Sequence, residues 1–526
     1  MIFSDMQFVM LILAIAVFAV ESFFRLRKEL HICQLNSYFN SRYLQWVKKN
    51  YFSPDRYPVF AVLVSILLYW ADFHLLAGIF WLLCFGYSIW KIRNTKQKKK
   101  LVFTARAKRL FIGSLFLYGL AAAMLLYLGG SYLWLWPIAL LSFAFLTLSN
   151  ILMSPVEGSI NRGFYTRARE LMFSNKNLKR IGITGSYGKT STKYFIQRIL
   201  SEKYNALMTP ESYNTTIGVV LTINKYLKPF HQWFVAEMGA KNIGDIKEIC
   251  ELVKPQWGVL TAVGEQHLET FGSIENVCKT KFELIASLPP EGIAFLNGDD
   301  KRMRDYAQQF GVRKVFFGID DNRNEYLAKG LQYSSRGTRF TIAKAGENLM
   351  EIETELLGKH NIYNVLAAIA VAIESGVSLE QIRYAARSLK SVPHRLELKR
   401  NPSGVIIIDD AFNSNPIGAG NAVEVLCAMQ GGKKFIVTPG MIELGENEVM
   451  YNRDFGKQIA AGGVDVAILV GRNQTRPIQE GLKESGFAGQ LLVVKNLDEA
   501  LQNLWKIAKP GDIVLLENDL PDTFNE

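Results

Sequence analysis

Long apolar runs separated by clusters of lysine and arginine fill the first 152 residues of this 526-residue chain, and nothing comparable follows. A helix needs roughly 20 mostly apolar residues to cross a hydrocarbon core of about 30 Å. Residues 8–24 come close and end at Arg25, Arg27 and Lys28. The basic residues follow this run rather than precede it, and no small-residue cleavage site is evident. The run therefore predicts an uncleaved anchor, not a signal peptide. Residues 58–90 are apolar apart from an interruption at Asp72 and His74, and charge decides how they cross. Seven Lys/Arg lie in 25–57 and nine in 91–109. Both flanks should then be cytoplasmic, and the stretch between them crosses an even number of times. Two short helices turning near Asp72 satisfy this, as does a re-entrant hairpin. Residues 110–128 and 132–152 predict a further hairpin around Gly129–Gly130. The expectation is about five spans, or three and a re-entrant loop, with residue 153 onward in the cytoplasm.

The net charge of +12 is concentrated in those flanks. It reads as a topology signal rather than a nucleic-acid surface, so no nucleic-acid partner is expected. Asp72 and His74 could form a proton relay, but two polar residues at an outer turn are the simpler reading. Lys96–Lys100 could touch anionic lipid headgroups, making membrane lipid a partner, or could serve topology alone. Cys33, Cys84, Cys250, Cys278 and Cys427 form no CxxC pair and have no metal-ligand spacing. They read as ordinary reduced thiols.

After a basic linker, placed at 153–175, the sequence Lys179-Arg-Ile-Gly-Ile-Thr-Gly-Ser-Tyr-Gly-Lys-Thr-Ser-Thr192 predicts a short strand, a Gly-rich turn and a helix. Gly185 and Gly188 let backbone N–H groups approach phosphate. Lys189 reaches the terminal phosphates and Thr190 is placed to hold Mg2+. The helix adds its positive N-terminal end. The general phosphate-loop pattern would want glycine at Ile183, and this chain lacks it.

Thr184-Gly-Ser-Tyr-Gly-Lys-Thr190 resembles the shortened phosphate loop of the Mur ligase family. Nine further blocks follow in family order: Tyr213-Asn-Thr-Thr-Ile-Gly218, Ala236-Glu-Met-Gly-Ala240, Val263-Gly-Glu-Gln-His-Leu-Glu269, Lys279-Thr-Lys-Phe-Glu283, Leu296-Asn-Gly-Asp-Asp300, Gly358-Lys-His-Asn-Ile-Tyr-Asn364, Arg395-Leu-Glu397, Asp409-Asp-Ala-Phe-Asn-Ser-Asn-Pro416 and Met441-Ile-Glu-Leu-Gly445. The resemblance covers about 176–515 and is closest to the branch that adds D-alanyl-D-alanine to a muramoyl tripeptide. It implies ATP and Mg2+ as cofactors. Thr184, Gly185, Ser186, Gly188, Lys189, Thr190 and Ser191 would hold the nucleotide phosphates. Glu237 and His267 would hold Mg2+ with Thr190. Lys281, two residues from Lys279, would be carbamylated and bridge a second Mg2+. Asn297, Asp300, Asn361 and Arg395 would lie near the nucleotide, and Asp410 would reach it from the next domain. The implied catalytic set is Lys189, Glu237, His267 and Lys281.

The expected architecture is α/β, with a helical transmembrane region over 1–152, a central ATP-binding domain over 176–398 and a Rossmann-like domain over 399–526. The expected activity is ATP-dependent, ADP-forming amide ligation through an acyl phosphate. The partners would be a carboxylate-bearing peptide or lipid-linked precursor and an amine acceptor, and the site would face the cytoplasm. A ligase extending another peptide or poly-amino-acid polymer, and a nucleotide-regulated membrane protein that is no ligase, are the alternatives. Three departures bear on substrates. Membrane segments stand where the family keeps a soluble N-terminal substrate domain. Thr438-Pro-Gly-Met441 replaces a Gly-Asp before the Met. Gly511-Asp-Ile-Val-Leu-Leu-Glu-Asn-Asp-Leu520 puts acidic residues where a Lys-Gly-Ser is usual, which is expected to change the charge met by an incoming group.

Overall fold

The computed structural model describes residues 2–50, 64, 67, 68, 70, 73–95, 100–128, 132, 135–264, 271–391, 393–411, 415–442, 444 and 447–518. Contacts divide the chain into two units, 1–163 and 164–526.

The described residues contain four helices long and apolar enough to cross a membrane: Phe8–Leu35, Leu75–Asn94 and Ala105–Tyr127 in the first unit, and Ser142–Ser174, which begins in the first unit and ends in the second. The first helix does not stop at the basic triplet. It starts at Ile2 and continues to Leu35, because nothing between Arg25 and Leu35 breaks a helix and Leu26, Leu30 and Cys33 repeat at helical spacing into the core. The turns expected at Asp72 and Gly129–Gly130, residues 58–63, 65, 66, 69 and 71 of the 58–90 stretch and residues 96–99 lie outside the described residues. Residues 153–175, expected as a linker, are helical up to Ser174, with Pro155 inside the helix. Among the basic residues there, Tyr165, Ala168, Leu171 and Met172 recur at spacings of three and four and make an amphipathic stripe. In the second unit Ala168 and Met172 are fully buried in a core shared with the helix Thr216–Tyr226.

Two sheets organise the second unit. The first has nine strands: β1 (Lys179–Thr184), β2 (Ala206–Met208), β3 (Trp233–Glu237), β4 (Trp257–Leu260), β5 (Ile293–Asn297), β6 (Arg313–Gly318), β7 (Tyr326–Ser334), β8 (Gly337–Lys344) and β9 (Glu347–Thr354). Their order is β2-β3-β1-β4-β5-β6-β7-β8-β9; pairing is parallel through β6–β7 and antiparallel for β7–β8–β9. Parallel strands covered on both faces read as continuous apolar runs, and β3 is buried at all five positions. Helices Lys189–Leu200, Lys359–Glu374 and Leu379–Arg387 cover one face; Thr216–Tyr226, Asp245–Val253 and Ile274–Ala286 cover the other.

The second sheet comprises β10 (Glu397–Arg400), β11 (Ile406–Asp410), β12 (Lys434–Thr438), β13 (Val466–Val470), β14 (Gln490–Val494) and β15 (Ile513–Glu517). Its order is β10-β11-β15-β12-β13-β14, parallel apart from β10. In the first sheet the chain passes from one side of β1, where β3 lies, to the other, where β4 lies. Loops leaving the carboxyl ends of these strands therefore open a crevice at that edge.

Candidate functional site

The turn after β1 needs glycine for two physical reasons. Gly185 and Gly188 have φ of +150° and +80°, and an added Cβ would come within 2.1 Å of Thr261 Oγ1 and 2.3 Å of Asn364 Oδ1 respectively. Side-chain bonds then clamp the loop. Thr184 Oγ1 donates to Met238 O (2.9 Å), Ser186 Oγ to Gly264 O (3.0 Å) and Thr192 Oγ1 to Asn364 Oδ1 (3.0 Å). Lys189 opens the helix Lys189–Leu200, and its ammonium folds back onto the loop carbonyls of Gly185 (2.6 Å) and Ser186 (3.1 Å). Burial lowers its pKa, opposed by the charge of Glu237 and reinforced by that of Arg395. Such a lysine gains by exchanging two carbonyls for an anion.

Glu237 ends β3 beside the loop, 1% exposed. Its Oε1 accepts from Thr190 Oγ1 (3.2 Å) and Asn214 Nδ2 (3.1 Å), while Oε2 faces the ammonium of Lys193 (3.0 Å). Cis ligands on an octahedral Mg2+ with bonds of about 2.1 Å sit roughly 3 Å apart. The Thr190 hydroxyl and Glu237 Oε1 thus fit a shared Mg2+. His267 lies outside the described residues.

Lys281, on the helix Ile274–Ala286, is 3% exposed. Burial, reinforced by the Lys189 charge, brings its pKa down from 10.5 to about 8, against the pull of Glu283 and Asp245. Glu283 is tied elsewhere, accepting from Gly244 N (2.7 Å) and Lys247 N (2.9 Å) at the start of Asp245–Val253. No shift is needed to separate Lys281 from Lys279: the former is buried and the latter is not.

The remaining expected residues are held less distinctively. Asn297 Oδ1 accepts from Asp299 N (3.1 Å), and Asp300 caps the helix Lys301–Tyr306 through Arg302 N (2.9 Å), both turn roles. Asn361, 5% exposed, donates to Leu357 O (2.8 Å). Arg395 acts electrostatically on both Lys189 and Asp410. Asp410 Oδ1 accepts from Leu396 N (3.0 Å), and burial raises its pKa to about 6. Sequence reasoning assigned no role to Lys193, Asn214 or Asn364. Asn214 and Asn364 stand inside matched blocks, and Lys193 sits one helical turn after Lys189, a spacing that puts both on one face.

Residues 183–372 match the Mur ligase middle domain and 394–517 the Mur ligase glutamate ligase domain. UDP-N-acetylmuramoyl-tripeptide–D-alanyl-D-alanine ligase from Bacillus subtilis is 31% identical over 338 residues, 64% of this chain and 72% of that protein. The chain belongs to the Mur ligase family. The protein of the same name from Escherichia coli is 33% identical over 293 residues, 56% of this chain, and the match spans 64% of that relative's length. The crystal structure of MurF ligase from Thermotoga maritima in complex with ADP superposes with a TM-score of 0.59 at 26% identity, covering 68% of this chain and 80% of that one.

Within this Mur ligase the departures around Thr438 and Glu517 take an unexpected form. Glu517 does not present its charge outward. Thr438 Oγ1 donates to Glu517 Oε2 (2.6 Å), both residues are fully buried, and Gly440 N donates to Thr438 Oγ1 (3.0 Å). Asn518 Nδ2 donates to Gly440 O (2.6 Å). The neighbouring strands β12 and β15 bring the two altered segments together. The hydroxyl and the carboxylate thereby satisfy one another, as buried polar groups must. Asp519 lies outside the described residues.

Proposed function

We propose that this Mur ligase is an ATP-dependent, ADP-forming ligase that joins a carboxylate to an amine through an acyl phosphate. The observation that carries this is the convergence, at one sheet edge, of a phosphate loop, the Thr190–Glu237 pair and the buried Lys281. A simple nucleotide sensor has no use for a buried lysine whose amine is readily neutral.

The backbone N–H groups of 185–190 and the start of the following helix receive the phosphates. Lys189 leaves the carbonyls of Gly185 and Ser186 for the terminal phosphate, where it offsets charge that builds as the bond to ADP breaks. The substrate carboxylate takes the phosphoryl group. The amine then attacks the acyl carbon, loses a proton, and phosphate departs. Thr190 and Glu237, with His267, would hold Mg2+, and a carbamate on Lys281 a second ion. When bound, these ions neutralise phosphate charge and let carboxylate and nucleotide approach. Asn297, Asp300, Asn361, Arg395 and Asp410 would surround the nucleotide, and Asp410 and Arg395 would engage it as the two domains close.

The names of the relatives favour a UDP-muramoyl tripeptide and D-alanyl-D-alanine as the pair of substrates. The inward-turned Glu517, together with glycine at position 440, favours a second reading on the amine side, in which a different amine or a growing peptide polymer is the acceptor. The four long apolar helices and their basic flanks support a multi-pass protein with its ligase unit on the cytoplasmic side, working on a peptide precursor that is soluble or lipid-linked. ADP release would be followed with each carboxylate and amine singly and together. Release that needs both supports a ligase, and release indifferent to both favours the nucleotide-regulated protein. Replacing D-alanyl-D-alanine by other amines in the same assay separates the two acceptor readings.

A further inference from the structure

We propose that Lys193 is a positioning residue that makes Glu237 a one-oxygen ligand for the divalent cation carried by the nucleotide. The proposal rests on the nucleotide site described above and goes beyond it. Helical spacing puts Lys193 one turn below Lys189, so the segment that aims one ammonium at the phosphates places a second beneath the loop. Lys193 is 0% exposed and its ammonium has two fixed acceptors, Glu237 Oε2 at 3.0 Å and the carbonyl of Glu211.

The two oxygens of Glu237 are thereby made unequal. Oε2 is neutralised from below by a cation that cannot leave, whereas Oε1 is turned to the Thr190 hydroxyl and the Asn214 amide. The Thr190 hydroxyl can rotate its proton away and offer a lone pair, so Oε1 is the oxygen open to a metal. Two consequences follow. A chelating, two-oxygen grip on the ion is blocked by Lys193. The ion also meets a carboxylate whose charge is already partly cancelled, and like charges a few ångströms apart inside protein repel strongly. A cation alone should therefore bind weakly, and the phosphates should bring it in. Lys193 would keep the site from filling before ATP arrives.

The test uses the full-length protein and Mn2+ as a paramagnetic probe titrated without nucleotide, with Mg2+–ADP binding measured in parallel. Lys193→Met keeps length and removes the charge. It should bind Mn2+ about tenfold more tightly or better, since the repelling cation is gone, while turnover falls. Lys193→Arg keeps the charge and should stay within about threefold of the parent affinity. A side chain with only a packing role would not tighten Mn2+ binding in the Met variant. Unchanged or weaker Mn2+ binding by Lys193→Met, with Mg2+–ADP still bound, overturns the proposal and leaves the nucleotide site standing. A parent protein that binds no Mg2+–ADP overturns both. Should Lys193→Met fail to fold, the Arg variant decides: parent-like Mn2+ affinity supports the proposal, and a larger change in either direction overturns it.

Discussion

Lys281 offers the sharpest test of the ligase chemistry, because carbamylation needs an amine that most lysines do not have at neutral pH. An amine must lose its proton before it attacks CO2. With a pKa of about 8 in place of 10.5, roughly a quarter of Lys281 is neutral at pH 7.5, against about one part in a thousand for an ordinary lysine. The structure therefore supplies about 200-fold more reactive amine. Stripping CO2 and bicarbonate should lower ADP release by about 10²-fold, the scale of losing one charge-stabilising group, and restoring them should recover it. The rate of recovery should rise about tenfold between pH 6 and pH 7 and level off above about pH 8. Lys281→Arg keeps a cation but forms no comparable carbamate, so it should be as inactive as Lys281→Ala, while Lys279→Arg should be tolerated. Stability gives an independent readout. The unfolded chain keeps this proton up to about 10.5 and the folded chain only to about 8, so stability should rise as pH climbs through that window. The shift corresponds to about 3 kcal/mol of charge-burial cost at neutral pH. Lys281→Met should thus be at least as stable as the parent, yet inactive. A fully active Lys281→Arg protein, or activity indifferent to CO2, would refute the carbamate.

Lys189→Ala and Glu237→Ala should each reduce turnover by about 10²-fold or more with the fold retained; near-normal ADP release from Lys189→Ala would remove the phosphate loop from the chemistry. Asp410→Asn should raise the melting temperature of the nucleotide-free protein. Burial lifts this carboxyl from 3.8 to about 6, so the folded state loses up to about 3 kcal/mol as pH rises through that range. The gain should be larger at pH 8 than at pH 5, and an equal gain at both would discount the buried charge. Single cysteines introduced at position 130 and at an exposed late position such as Lys483 report topology in intact cells after replacement of the native cysteines. Labelling of position 130 from outside and of 483 only from inside is expected; the reverse pattern would overturn the orientation.

By itself the sequence determined what depends on neighbours along the chain. The apolar runs with basic flanks specify long helices, and the strand, glycine turn and helix of 179–200 specify a phosphate loop, because both signals are local. The family blocks likewise named Glu237, Lys281 and Asp410, since residue type and order survive in a string. Tertiary structure decided what depends on distant packing. Residues 153–174 are helical because Tyr165, Ala168, Leu171 and Met172 find a core to bury against, which outweighs the loop-like charge of the segment. Lys281 differs from Lys279 only by burial. Glu517 looks in sequence like a charge offered to substrate, yet β12 brings Thr438 to it and turns it inward. Lys193 carried no local signal beyond its helical spacing. Its pairing with Glu237 joins residues 44 apart in sequence, and a fixed buried ion pair exists only once the sheet has excluded water around both partners.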